Sequence, residues 1–254
     1  MSSLGSTIVS LRDIGKTFES GTTALDRFNL DVHAGEFVSL LGMSGCGKST
    51  ALRIVAGLSA ASEGAVEWPA GASKIGFVFQ EPTLMPWADV AANVRLPLKL
   101  GGADEAQSRA AVAQTLERVG LASFAQAYPR ELSGGMKMRA SIARALVTEP
   151  ELLLMDEPFA ALDEITRFKL NNDLLTLWQQ LRRTVIFVTH SVFESVYLSQ
   201  RIVVMTPRPG RVFTEIAIDA PYPRGEHFRT SAEYGGFCRQ VAEALGQAMA
   251  GGAS

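Results

Sequence analysis

The sequence predicts an α/β fold built on a mainly parallel sheet. Three short apolar runs have the pattern of buried parallel strands: Phe37 to Leu41, Leu152 to Met155 and Thr184 to Thr189. Helical spacing of apolar residues predicts helices from Ser49 to Leu58 and from Ile165 to Leu181. Because strands and helices alternate along the chain, we expect the strands to lie side by side in one direction.

Two smaller parts are predicted in addition to this core. The residues from Ile8 to Leu11 and from Ala24 to Val32 alternate roughly as strands do, which predicts an N-terminal antiparallel β-subdomain. Between Gln80 and Arg130, prolines including Pro97 are expected to break the chain early. Ala103 to Val119 then has the pattern of an amphipathic helix, which predicts an inserted helical subdomain.

The remaining elements complete the domain plan. Two more strands are predicted at residues 75–79 and 202–205, and a second helix of the inserted part at 133–147. Residues 211–218 are predicted to form an antiparallel edge pair, 219–228 an irregular Pro-rich segment and 237–249 a final helix. We therefore assign residues 7–235 to one domain, with a helical subdomain at roughly 83–148, and residues 236–254 to a short helical tail.

Composition excludes several classes of protein. The chain has 254 residues, 47% of them hydrophobic, and its net charge of −2 provides no basic field for nucleic acid. No apolar run approaches the 18 or so residues of a membrane span, and Met1 to Asp13 lacks the features of a signal peptide. The two cysteines, Cys46 and Cys238, form no disulfide framework, and a thiol at Cys46 suits a reducing cytosol.

A phosphate-binding loop follows the first predicted parallel strand. Its residues match G-x-x-x-x-G-K-[ST] and continue into a helix: Gly42, Met43, Ser44, Gly45, Cys46, Gly47, Lys48, Ser49 and Thr50. Glycines allow successive backbone N–H groups to face an anion, and the helix N-terminus adds partial positive charge. Lys48 is predicted to reach the β- and γ-phosphates and Ser49 to ligate Mg²⁺. An ordinary glycine-rich turn is the alternative, and the flanking strand and helix argue against it. The mainly parallel sheet is therefore predicted to form a P-loop NTPase core.

Asp156 and Glu157 directly follow the apolar run at Leu152 to Met155. Because neighbouring strand residues point to opposite sides, we expect the two acids to have different roles. Asp156 is predicted to hold Mg²⁺ and Glu157 to act as the base that polarises the attacking water. Two acids at an ordinary boundary between strand and loop are the alternative, which the phosphate loop disfavours.

Two further polar residues also stand where predicted strands end. His190 follows Thr189, and its imidazole is predicted to contact the γ-phosphate from the side opposite Lys48. Gln80 ends the strand from Ile75, and its amide is predicted to reach Mg²⁺ or the attacking water. Each is, taken alone, compatible with an ordinary polar residue at a strand end.

A second anion-binding segment, Ser133, Gly134 and Gly135, begins the helix after Leu132 and contains no lysine. One nucleotide does not need two such loops from one chain, so this segment is expected to serve a neighbour's nucleotide. Together with the earlier motifs, it makes the chain resemble the ATP-binding cassette (ABC) transporter ATPases over roughly residues 7 to 215.

The resemblance implies a role for each matching residue. Gln80 matches the Q-loop, Ser133 to Gly135 the signature, Asp156 with Glu157 the Walker B acids, and His190 the switch histidine. Asp163 lies in the matching D-loop and is counted among the nucleotide-binding residues. Phe18 falls where the family has an aromatic residue that stacks on adenine, with a core phenylalanine as the alternative.

The resemblance also implies cofactors and partners. The implied cofactors are ATP and Mg²⁺. The implied partners are a second copy, in a head-to-tail homodimer with two ATP molecules between phosphate loop and signature, membrane permease subunits and, indirectly, a solute-binding protein. The location implied is peripheral, on the cytoplasmic face of the cell membrane, and no nucleic acid is involved. Two positions depart from the family pattern, since Met136 replaces the usual glutamine of the signature and Ala160 the usual serine or glycine of the D-loop. Neither departure removes a catalytic group, so activity is expected.

A finer resemblance is to the nitrate, sulfonate and taurine importer branch, with relatives for pyrimidine or thiamine-precursor uptake. It lies in residues 79–82, 84–87, 192–197 and 208–211 and in the methionine that ends the signature. The apolar cluster from Leu84 to Trp87 is a candidate for gripping the permease, with a locally buried loop as the alternative. A soluble ABC ATPase acting on ribosomes or DNA and a non-hydrolysing scaffold are the competing functions. The chain contains neither a second cassette nor a long coiled coil, and Lys48 and Glu157 are both present.

Overall fold

The computed structural model describes residues 5–71 and 73–251. The strands are β1 (Thr7–Thr17), β2 (Thr23–His33), β3 (Phe37–Leu41), β4 (Glu63–Glu67), β5 (Ile75–Val78), β6 (Leu152–Asp156), β7 (Thr184–Thr189), β8 (Arg201–Met205) and β9 (Val212–Ala217). The helices are α1 (Lys48–Val55), α2 (Val90–Leu100), α3 (Glu105–Arg118), α4 (Gly134–Leu146), α5 (Glu164–Leu181), α6 (Val192–Leu198), α7 (Glu226–Arg229) and α8 (Ala232–Gly251). Two units divide the chain, one made of residues up to 73 and from 182 onward, the other of residues 74 to 181.

The first unit contains strands of two sheets. In one sheet, β1 pairs antiparallel with β2 on one side and β4 on the other. In the other, β3 lies between β7 and β8 in parallel, and β9 pairs antiparallel with β8. Every residue of β3 and β7 is buried, as continuous apolar strands require. The predicted N-terminal antiparallel sheet, the parallel strands and the antiparallel edge are confirmed.

The second unit combines a parallel strand pair with a helical part. β5 and β6 pair in parallel, with Val78 opposite Met155. Helices α2, α3 and α4 share an apolar core made of Val90, Val94, Val112, Leu116, Leu121, Leu132, Ala140, Ala143 and Val147. An inserted helical part is therefore present. The boundaries 7–235, 83–148 and 236–254 stay predictions, and Met1–Leu4 and the last three residues of the tail lie outside the described residues.

Helix α2 contradicts the prediction that Pro97 breaks the chain. Pro97 lies inside this helix, where a proline costs about 3 kcal/mol. The carboxylate of Asp89 caps the first turn by accepting a hydrogen bond from the Ala92 N–H at 2.7 Å. Val90 and Val94 are fully buried in the helical core. Capping and burial offset the cost of the proline, and tertiary packing overrides the local signal.

Other elements escaped prediction for related reasons. β4 was not predicted, because its sequence EGAVE is short and charged, and it forms a strand by pairing with β1. Cys46 and Cys238 are both buried and neither forms a disulfide, in agreement with the prediction. Within residues 5–71 and 73–251, no helix is long and apolar enough to cross a membrane.

A buried ion pair connects β8 to the loop before β3. Arg201 donates from Nε to Glu36 Oε1 at 2.7 Å and from Nη2 to Glu36 Oε2 at 2.9 Å. The Glu36 side chain is 1% exposed and that of Arg201 14%. Glu36 therefore depends on Arg201 for solvation, while Arg201 has a second partner in the 40% exposed side chain of Glu215, whose Oε2 lies 2.6 Å from Nη1.

Replacing Glu36 with alanine is expected to lower the free energy of unfolding by about 3–5 kcal/mol, because it leaves the Arg201 guanidinium buried without its main partner. Arg12→Ala serves as a control, since its pair with Asp31 is 47% and 40% exposed. The loss there is expected to stay below about 1 kcal/mol. Urea unfolding curves measure both; equal losses in the two variants would contradict the expectation.

Candidate nucleotide-binding site

The predicted phosphate loop leaves the carboxyl end of β3 and enters α1. Gly45 and Gly47 have φ angles of 79° and 103°, in the left-handed region that glycine adopts without strain. Gly47 is the N-cap of α1, and neither a side-chain cap nor an acidic residue occupies the first turn. The helix therefore presents its N-terminal partial charge without a carboxylate of its own, which suits an anion.

Lys48 places a cation inside this loop. Lys48 is only 3% exposed, and its Nζ donates to the carbonyl oxygens of Gly42 at 2.8 Å and Met43 at 2.9 Å. These hydrogen bonds hold the ammonium group in place within the loop. A buried, positioned cation and an uncapped helix end together fit a triphosphate better than a neutral ligand.

His190 and Phe18 belong to the same unit as the loop. β7 pairs with β3 so that Thr189 lies opposite Leu41, and His190 and Gly42 therefore leave adjacent strand ends. His190 is exposed there. Phe18 follows β1, is 45% exposed and has the Lys16 Nζ 5.4 Å from its ring centre. This exposure rules out the alternative of a core phenylalanine.

The second unit brings Gln80 near the Walker B acids. Val78 lies opposite Met155, so Asp156 ends β6 and Gln80 follows β5 at the same edge of the strand pair. Asp156 is the last residue of β6 and is 5% exposed, whereas Glu157 lies beyond the strand with φ of 45°. The sequence predicted that strand alternation separates the two acids, but Glu157 lies outside the strand. A turn at Glu157, in a backbone conformation uncommon for this residue type, separates them.

The signature residues begin α4. Ser133 is the N-cap, and its Oγ accepts a hydrogen bond from the Met136 N–H at 3.3 Å. Ser133 and Gly134 are exposed, but Gly135 is buried so tightly that an added Cβ would lie 2.8 Å from Thr166 Cγ2. Met136 packs against the helical core, which gives a physical reason for an apolar residue at this position.

Asp163 lies just before α5, and one oxygen of its carboxylate accepts from the Thr166 N–H at 2.9 Å. Hydrogen bonds from the side chain and then the backbone of Thr166 lower the pKa of Asp163. The group is therefore a capping carboxylate of α5 as well as a candidate contact to nucleotide. Its assignment and those of the other candidate residues stay predictions.

Two residues that no sequence motif marked organise the segment before α2. Asn93 is fully buried; its Oδ1 accepts from the Met85 N–H at 2.7 Å, and its Nδ2 donates to carbonyls of the same segment at 3.0–3.2 Å. Arg144 donates to the Thr83 and Pro82 carbonyls at 2.8 and 2.9 Å. A polar residue in the Val90–Val94 stripe was the signal that could have identified Asn93, because a buried amide needs partners.

The predicted Mg²⁺ ligands offer a suitable set of donors. Ser49, Gln80 and Asp156 carry a hydroxyl, an amide and a carboxylate oxygen, and Mg²⁺ prefers oxygen ligands. In the part of the chain that the structure describes, no cluster of three or more histidine, cysteine, aspartate or glutamate residues could hold a metal. One protein carboxylate combined with phosphate oxygens is the usual way in which Mg²⁺ is held beside a nucleotide, and these residues fit it.

A glycine loop with a buried lysine, parallel strands and strand-end polar residues define a P-loop ATPase. The family model described as ABC transporter matches residues 25–160. An uncharacterized ABC transporter ATP-binding protein of Methanocaldococcus jannaschii is 47% identical over 234 residues, covering 89% of this chain and 86% of that protein. The aliphatic sulfonates import ATP-binding protein SsuB of Bacillus licheniformis is 45% identical over 224 residues, covering 85% and 87%. The chain therefore belongs to the ATP-binding, ATP-hydrolysing proteins of the ABC transporter family.

Solved structures agree with this assignment. CbiO1 of Clostridium perfringens, part of the ABC transporter complex cbiONQ, has a TM-score of 0.76 at 28% identity, covering 84% of this chain and 89% of that one. The ATP-binding cassette MJ0796, a dimer in a post-hydrolysis state with ADP and phosphate, has a TM-score of 0.73 at 34% identity, covering 84% and 100%. The predicted fold class, with its P-loop core, antiparallel β-subdomain and helical insertion, is confirmed.

Proposed function

We propose that this ATPase energises an importer: two copies bind two ATP molecules head to tail and drive solute uptake through a membrane permease. The observation that carries this proposal is the 45% identity to an aliphatic sulfonates import protein along most of both chains. A sulfonate-like anion is accordingly the first substrate class, and nitrate, taurine, pyrimidine or thiamine precursors are the others. The proposed location is the cytoplasmic face of the membrane, where the permease holds the ATPase.

The phosphate loop binds the nucleotide in this proposal. Its N–H groups and Lys48 hold the β- and γ-phosphates, and Phe18 stacks on the adenine. Glu157 orients the attacking water and accepts its proton, while His190 contacts the γ-phosphate and supports the transition state. Ser49, Gln80 and Asp156 would hold Mg²⁺, which would neutralise phosphate charge when bound.

The second copy completes each site through its signature. Ser133 and Gly134 are exposed at the N-terminus of α4, a 13-residue helix, so a phosphate of the partner's ATP can reach them. Asp163 is also exposed, and it follows Leu162, whose Cδ2 would lie 3.2 Å from a Cβ added to Gly134. The dimeric state of the related cassette MJ0796 supports this arrangement.

Co-purification tests the whole proposal. The chain is expressed with a candidate permease and solute-binding protein, reconstituted in vesicles, and assayed for ATPase activity stimulated by each solute class. We expect stimulation by an aliphatic sulfonate to exceed that by nitrate, taurine, pyrimidines or thiamine precursors. Stimulation by one of those instead would change the substrate, whereas failure to bind any permease would contradict the importer.

Trp87 is the proposed permease contact. It is 76% exposed, while Leu84 and Met85 beside it are half-buried, so the alternative of a locally buried loop holds for those two residues only. Asn93 holds the backbone of Met85, so the indole projects from a fixed turn rather than from a loose loop. A large aromatic side chain on a rigid support is a frequent energetic centre of interfaces.

Trp87→Ala is expected to weaken permease binding about 30-fold or more and to leave ATP affinity unchanged. Leu100→Ala is the control, because Leu100 is 79% exposed at the other end of α2. Pull-down with solubilised permease and ATP titration measure the two effects. Weaker ATP binding with intact assembly would show that Trp87 does not belong to the docking surface.

A further inference from the structure

The turn Thr206–Arg211, which follows β8, has no role in the proposed catalytic cycle. We propose that this turn, called here the clamp turn, is a positioning element that holds the phosphate loop in its binding shape. Arg208 and Gly210 are its two points of contact with the loop. The inference rests on the proposed assignment of Gly42–Ser49 as the phosphate-binding loop.

The clamp turn is internally rigid. The Thr206 N–H donates to the Arg211 carbonyl at 3.0 Å, and the Arg211 N–H donates to Thr206 Oγ1 at 3.0 Å. The same hydroxyl donates to the Pro209 carbonyl at 3.1 Å. Three hydrogen bonds thus close these six residues into a compact turn. A turn of this kind can hold the phosphate loop in a fixed position.

Strand β2 anchors the turn from the other side. The Gly210 N–H donates to the Ala24 carbonyl at 2.9 Å, and the Asp26 N–H donates to the Gly210 carbonyl at 3.2 Å. The Arg211 guanidinium also pairs with the Asp26 carboxylate, with Nε 2.9 Å from Oδ2. The turn is therefore tied by its backbone and a side chain to a strand that lies outside the phosphate loop.

The clamp turn meets the phosphate loop at two consecutive peptide groups. Arg208 Nε donates to the Gly45 carbonyl at 3.2 Å. Gly210 lies so close to the next carbonyl that an added Cβ would be 2.0 Å from the Cys46 oxygen. Because the C=O and N–H of a trans peptide point in opposite directions, holding the Cys46 carbonyl toward Gly210 directs the Gly47 N–H to the other side. That N–H belongs to the proposed anion nest.

Two variants with matched controls test the clamp turn. Arg208→Ala removes the hydrogen bond to Gly45, whereas Arg53→Ala removes another exposed positive charge, in the last turn of α1. Gly210→Ala adds the clashing Cβ, whereas Gly246→Ala adds one that meets nothing within 4 Å. Calorimetric titration with MgATP measures affinity. The modification rate of Cys46 by a small maleimide, in a Cys238→Ser background, measures loop shape, because Cys46 is 1% exposed.

We expect Arg208→Ala to weaken ATP binding about two- to tenfold. Gly210→Ala is expected to weaken it about ten- to a hundredfold. Both should speed Cys46 modification, while Arg53→Ala and Gly246→Ala behave as the parent in both measurements. If Gly210→Ala does not fold, the exposed Arg208 variant still decides the matter.

Separate outcomes distinguish the clamp turn from the loop assignment. Parent-like affinity and labelling in Arg208→Ala would overturn the clamp turn, as would an effect no larger than that of Arg53→Ala. A parent protein that binds no ATP would instead contradict the phosphate loop itself.

Discussion

Glu157→Gln is expected to lower the rate of ATP hydrolysis by about 10²- to 10⁴-fold while ATP still binds. The substitution keeps the size of the side chain and its hydrogen-bonding capacity but removes the group that accepts a proton from water. Glu157 occupies a turn with φ of 45° directly after buried β6, so the strand end places its backbone. ATP should then remain trapped in a stable dimer, visible as a doubled mass in size-exclusion chromatography with MgATP.

Glu151→Gln is the matched control for this substitution. Glu151 is an exposed glutamate just before the other end of β6, and its backbone N–H donates to the Lys74 carbonyl at 2.9 Å. Its loss of charge should leave turnover and dimerisation unchanged. Turnover in Glu157→Gln close to that of the parent would exclude Glu157 as the base. A defect shared by both variants would indicate a general effect of charge.

Gly47→Ala is expected to weaken ATP binding by about two orders of magnitude. An added Cβ would lie 2.6 Å from the Ala24 carbonyl oxygen and 2.7 Å from Leu25 Cδ2. The left-handed φ of 103° adds a cost of about 1–2 kcal/mol for any residue with a Cβ. The loop must shift or twist to relieve the steric clash and the backbone strain. Its N–H groups then no longer converge on one phosphate. Titration with MgATP measures the loss.

Gly57→Ala separates the effect of the positive φ from that of the steric clash. Gly57 also has a positive φ, 69°, but a Cβ there meets nothing within 4 Å. This variant carries the backbone cost alone, so its thermal midpoint should fall while ATP affinity stays the same. Unchanged affinity in Gly47→Ala would show that the loop tolerates the displacement and would contradict its role as a rigid nest.

The candidate site was predictable to the extent that it is local in sequence. Gly42 to Ser49 specify a loop through glycine conformations and a lysine within eight residues, and the helix that follows begins where the motif requires. His190 and Asp156 were identifiable because they end continuous apolar strands. Glu157 was placed correctly after β6, but the reason offered was wrong, because the strand ends one residue earlier and a turn intervenes.

Residues whose roles depend on distant partners escaped prediction. Asn93 and Arg144 organise the segment around Trp87 through hydrogen bonds to backbone carbonyl and N–H groups, which no spacing rule reveals. Helix α2 persists through Pro97 because its apolar face is buried. The charged strand β4 exists only because β1 offers backbone partners.

The sequence by itself determined the fold class, the ATPase family and the identity of the phosphate loop, because each depends on contiguous residues whose backbone and charge requirements are local. The tertiary structure decided how that loop is supported. The Cys46 carbonyl packs against Gly210. The Gly45 carbonyl accepts a hydrogen bond from Arg208, which lies 163 positions away along the chain. Contacts of this kind arise only when β8 pairs with β3 and carries the following turn to the phosphate loop.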